Sequence, residues 1–106
     1  MNDRVTRFSA LVASQPDNPL FRFSLAQALD AAGDSAAAVE HYRLCAATRA
    51  DWMMPRILLG KALLRTSAPG DRTAARPVLE EALALALAQD HRDPAAELSA
   101  LLASLD

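Results

Sequence analysis

Shifted along itself by thirty-four residues, the chain meets residues able to do the same packing job: Phe8 falls on Tyr42, Leu11 on Cys45, Arg22 on Arg56, Leu25 on Leu59, Ala26 on Gly60, Ala28 on Ala62 and Leu29 on Leu63. Self-similarity at a fixed spacing of this length is the mark of repeated supersecondary units. Each unit buries its apolar face against its neighbours, so the stacking of units supplies the stability. A chain of 106 residues holds one domain of this kind, or one short array.

The punctuation divides the chain into helices. Gly33 and Gly70 each precede an Asp, where a left-handed glycine ends one helix and a carboxylate caps the next. Asn18-Pro19 and Asp93-Pro94 each read as a capping residue followed by proline at the first helical position. Between these marks apolar residues recur at helical spacing, predicting helices over about 4–15, 19–32, 35–48, 52–65, 73–89 and 94–105. No alternating segment is long enough for a strand, so the expected fold is all-α. From Gly33 to Gly70, and from Ala38 to Ala75, the spacing is thirty-seven, which places three extra residues between Leu64 and Asp71. Pro77 conflicts with a helix that starts at Arg72, so the expectation is a later start with Thr73 as cap, or a kink.

Apolar residues make up 52% of the chain and charged residues 23%, which fits a folded soluble protein and not a disordered one. A net charge of −2 with no basic stripe argues against nucleic-acid binding. One cysteine excludes an intramolecular disulfide, the N-terminus lacks the apolar run of a signal peptide, and no apolar stretch reaches membrane-spanning length. A cytoplasmic protein is expected.

The two repeats read Arg22, Leu25-Ala26, Leu29, Ala38, Tyr42 and Arg56, Leu59-Gly60, Leu63, Ala75, Leu79, with Gly33-Asp34 and Gly70-Asp71 at the turns. These residues resemble the tetratricopeptide repeat family, as found in small bacterial members, with Phe8, Leu11 and Pro16 similar to the second helix of a preceding half-repeat. Small residues at 26, 38, 60 and 75 let helices approach, and the larger ones at 8, 42 and 79 fill the space between hairpins. Arg22 and Arg56 depart from the family's leading aromatic, and Ala50 from its closing proline. The resemblance implies a helical-hairpin array: a half-repeat at 4–15, repeats at 19–48 and 52–89, and a capping helix at 94–105. Helix five is apolar over a wide arc, as expected for a helix covered by four and six.

The resemblance further implies that the first helix of each hairpin lines a concave face that holds a peptide or a partner helix. The groove-facing positions are then Leu20, Phe23, Gln27 and Asp30 or Ala31 on the second helix, and Met54, Ile57, Lys61 and Leu64 or Arg65 on the fourth. Two readings stay open at this point. In one, Phe23, Met54 and Ile57 form an apolar floor beside a basic edge of Lys61 and Arg65, suited to an acidic or C-terminal segment. In the other, the apolar residues are core and the cations are solvated. Phe23 and Ile57 stand where a carboxylate clamp would need polar groups, which disfavours a chaperone tail.

His41 and Cys45 have a spacing able to chelate a metal, but no second pair of ligands accompanies them, and Cys45 falls where the repeat wants a small buried residue. Asp90-His91-Arg92-Asp93 reads as a polar turn whose last member caps a helix. Trp52 is expected to be partly buried over the hairpin junction. No nucleophile motif, phosphate-binding loop or carboxylate pair is present, so neither an enzyme nor a cofactor is expected. The expected function is a peptide- or helix-binding adaptor, with self-association through helix five as the alternative. Helical-repeat RNA binding ranks last, since Arg22, Arg56, Lys61 and Arg65 are too few.

Overall fold

The computed structural model describes residues 3–66 and 70–105. The three extra residues expected before Gly70 coincide with 67–69 and lie outside the described residues. Among the described residues six helices run in order: α1 (Asp3–Ser14), α2 (Pro19–Ala31), α3 (Ser35–Thr48), α4 (Met53–Arg65), α5 (Asp71–Ala88) and α6 (Arg92–Ser104). The chain is all-α, as its periodicity requires, with no strand among the described residues. Each helix packs principally on the ones before and after it in the chain.

Local chemistry sets most of the ends. Asn18 accepts hydrogen bonds from the backbone N–H of Leu20 at 3.0 Å and of Phe21 at 3.4 Å, with Pro19 opening α2. Gly33, at φ +90°, lets α2 close: its N–H reaches the Asp30 carbonyl, and that of Asp34 reaches Leu29. Asp34 then caps α3 by accepting from Ala37 N–H.

Two ends differ from expectation. Thr73 does not cap α5, which starts at Asp71 and carries Pro77 inside it. Gly70 is left-handed at φ +89°, and its carbonyl accepts from Ala74 N–H, closing a turn two residues earlier. Asp71 suits the positive end of the helix and accepts from the Thr66 hydroxyl. Pro77 leaves the Thr73 carbonyl without its helical donor, a cost of about 3 kcal/mol in a helix interior. Both residues are exposed, so water reaches that carbonyl, while Ala75, Leu79, Ala82 and Ala86 of the same helix are fully buried.

Asp93 does not cap α6 either; that position belongs to His91, and Asp93 sits in the first turn. Asp90 takes the left-handed conformation at φ +59°, so its own N–H bonds the Leu87 carbonyl and that of His91 bonds Ala86 at 2.8 Å. This is the same closure Gly33 performs for α2, made here by an aspartate. It ends α5 at once and lets α6 begin at Arg92.

The core runs through α2 to α6 and centres on α4, whose Ile57, Leu59, Ala62 and Leu63 are buried. Gly60 is required for close approach: a Cβ there would lie 2.3 Å from Leu79 Cδ2. α5 packs on both α4 and α6, which its wide apolar arc anticipates.

Candidate functional site

The residues expected in the groove divide between surface and core. Leu20 and Met54 occupy the same place at the start of α2 and α4, thirty-four residues apart, and are 61% and 41% exposed. Close to both in the chain is an aromatic cluster: the half-buried Phe23 ring packs 5.2 Å from Trp52 and meets Tyr42 edge-on at 6.0 Å. The Arg49 guanidinium stands 5.9 Å from the Trp52 ring, a cation–π contact over its half-exposed face. Leu20 and Met54, with the half-buried Phe23 and Trp52, supply an apolar lip at the starts of α2 and α4.

Ile57 is no part of it. At 6% exposure it belongs to the core, and the half-buried Leu58 lines the surface instead. One residue is 100° of helix, and an apolar run of Ile57, Leu58 and Leu59 does not reveal which member turns outward.

Further along, two hollows meet at Arg65. One, about 340 Å³, lies between α2 and α4 and includes Gln27, Asp30, Ala31, Tyr42 and Leu58. The other, about 290 Å³, lies between α4 and α6 and is formed with Lys61, Leu64, Glu97 and Leu101. Glu97 and Leu101 were not foreseen, although Pro94, Leu98 and Leu102 repeat Pro55, Leu59 and Leu63 at a spacing of thirty-nine, the signal that could have placed α6 beside α4.

The basic edge is neutralised from within. Arg65 pairs with Asp30 across α4 and α2, and Lys61 pairs with Glu97 across α4 and α6. Asp30, held mostly out of water, also accepts from the Ser35 hydroxyl at 2.9 Å. Helix packing brings these opposite charges together, so the groove has no net positive field to attract an acidic segment. The Lys61–Glu97 pair, with Glu97 largely in water, contributes about 0–1 kcal/mol. Burial, with Asp30 next, pushes the Tyr42 hydroxyl up to about 12.

Arg22 and Arg56, which break the aromatic pattern, have a shared task. Arg56, 7% exposed, donates to the carbonyls of Ala46 at 3.0 Å, Arg49 at 3.1 Å and Trp52 at 2.6 Å, and pairs with Glu81. Arg22 reaches back to the Pro16 carbonyl at 3.4 Å. Both guanidinium groups tie a helix to the end of the one before it, where α3 in particular presents carbonyls without intrahelical donors.

Arg22 also lies 3.1 Å from His41 Nδ1, which must accept, since arginine only donates. Burial, then Arg22, lowers the His41 pKa. Cys45 is fully buried; its thiol donates to the Pro19 carbonyl at 3.7 Å, and burial pushes it up to about 11, leaving a neutral, shielded thiol. Among the described residues, no group of three or more His, Cys, Asp or Glu could hold a metal ion, and no helix is long and apolar enough to cross a membrane. A third cavity, about 560 Å³, lies at the helix-turn end, but its Asp34 and Asp71 already serve α3 and Thr66.

No family model matches the chain, and no curated protein matches it significantly. The chain is similar to the protein BPP2914 of Bordetella parapertussis, known from a solution structure: 30% of residues are identical, the TM-score is 0.79, and the match covers 99% of this chain and 89% of that one. At that identity over nearly the whole of both chains, this protein and its Bordetella counterpart belong to one family and share one fold.

Proposed function

We propose that the protein is a non-catalytic interaction module of the tetratricopeptide type, which holds a peptide or a partner helix along the face made by α2 and α4. The observation that carries this reading is the exposure of Leu20 and Met54 at equivalent places, flanking the Phe23–Trp52 contact. Exposed large apolar side chains repeated in register, and backed by half-buried aromatics, suit the anchor residues of an incoming segment. Affinity comes from this lip. Lys61 and Arg65 act as registering groups, since their charges are already balanced by Glu97 and Asp30. The occupant is therefore a segment with two apolar anchors, with no excess of acidic residues needed.

Selection from a random peptide library on the wild-type protein tests this. Enriched peptides should bind the Leu20→Asp/Met54→Asp variant at least tenfold more weakly. They should bind Leu44→Asp normally, because Leu44 is an equally exposed leucine on α3. Failure to enrich any peptide, or equal binding to both variants, refutes the reading.

A further inference from the structure

The two end helices carry complementary halves of a contact that the chain makes inside itself. Within the α4–α5 pair, Leu79 seats directly over Gly60, both fully or nearly fully buried. The repeat places Tyr42 and Ala26 in the same roles in the α2–α3 pair, and they are 1% and 0% exposed. On α1, the residue at the position of Tyr42 is Phe8, large but only half-buried. No residue of α1 is buried, and this helix rests principally on α2.

α6 shows the opposite half. Shifted by thirty-nine residues it matches α4: Pro94 falls on Pro55, Leu98 on Leu59 and Leu102 on Leu63. Leu98 and Leu102 are buried against α5 as their counterparts are in the core. The position of Gly60 falls to Ser99, a small residue that is exposed. So one end presents a bulky side chain lacking the small surface it fits, and the other presents the small surface without the bulky side chain. Charge does not oppose the fit: α1 carries Arg4 and Arg7 against Asp3, and α6 carries Asp93 against Arg92, its Glu97 being already held by Lys61. In the antiparallel pairing found inside the chain, Arg4 would lie near the C-terminal end of α6, where the helix dipole favours a cation.

We infer that the occupant of both faces is a second copy of this chain, with α1 of one molecule packed beside α6 of the next and Phe8 seated over Ser99. Such a contact joins two different surfaces, so each added copy leaves one of each free and the association stays open-ended unless it closes into a ring. It rests on the same repeat register as the proposed groove but needs nothing bound there.

Sedimentation velocity from micromolar to millimolar protein decides it. The wild type should grow in mass with concentration, less so at high salt. Ser99→Arg blocks the α6 face at an exposed site, and Phe8→Asp blocks the α1 face, so each variant alone should stay monomeric. Mixed in equal amounts they should form a dimer and nothing larger, because each supplies the face the other lacks. This outcome holds even if Phe8→Asp frays α1, since its α6 face is the one used. Leu20→Asp/Met54→Asp should associate like the wild type, which separates this contact from the groove. A monomeric wild type at millimolar concentration, a monomeric mixture, variants that still dimerise alone, or loss of association in Leu20→Asp/Met54→Asp would overturn the inference.

Discussion

Arg56 offers the sharpest test of what holds consecutive hairpins together. Its guanidinium satisfies the carbonyls of Ala46, Arg49 and Trp52 and pairs with Glu81, whose side chain is 60% exposed. Arg56→Met keeps the buried stem and removes the donors. Arg49 is exposed, so water replaces the arginine at that carbonyl, while Ala46 and Trp52 are half-buried. Two acceptors left short of a partner, at about 1–1.5 kcal/mol each, give a loss of about 2–3 kcal/mol. For a domain of this size that lowers Tm by roughly 8–24 °C. Glu81→Gln, by contrast, should cost under about 0.5 kcal/mol, because its carboxylate sits in water. Denaturant titration followed by far-ultraviolet circular dichroism measures both. Glu81 remains in water in Arg56→Met, so the backbone acceptors make the difference. Should Arg56→Met prove neutral, or Glu81→Gln cost as much, the carbonyls would not be what the arginine is for.

Two further outcomes follow from the packing. Gly60→Ala gains about 1 kcal/mol of helix propensity but drives a methyl against the fully buried Leu79, where overpacking costs about 1–3 kcal/mol, for a net loss of about 1 kcal/mol in denaturant titration. Adding Leu79→Val should recover part of that loss, a non-additivity expected of touching residues. Tyr42 is the one tyrosine, so ultraviolet absorbance reads it alone. Its hydroxyl ionises near 10 when unfolded and at about 12 when folded, so the folded state holds the proton more tightly. Stability is intact below pH 10 and falls as pH rises from there towards 12; a native absorbance midpoint near 10 would contradict the burial.

Much of this was legible in the chain before any coordinates. Glycine and Asn-Pro punctuation marked the ends of α2 and the start of α3, because those residues act on backbone groups within a few positions. Leu20 and Met54 were expected at the surface from the resemblance and its repeat register, and both are exposed. Where a neighbour decides, the sequence misled: Ile57 turned inward, and Lys61 and Arg65 met carboxylates thirty-odd residues away. Asp93 lost its capping place because Asp90 adopted a conformation more usual for glycine. Arg56 looked like a defect in the repeat and proved to be a fastening between helices.

The chain by itself determined six helices, their order and the residues small enough to let them touch, since helical periodicity and end-capping are properties of neighbours in sequence. Tertiary structure decided which apolar face stayed outside and which charges cancelled. Both depend on distances between segments far apart in sequence, and only packing sets those distances.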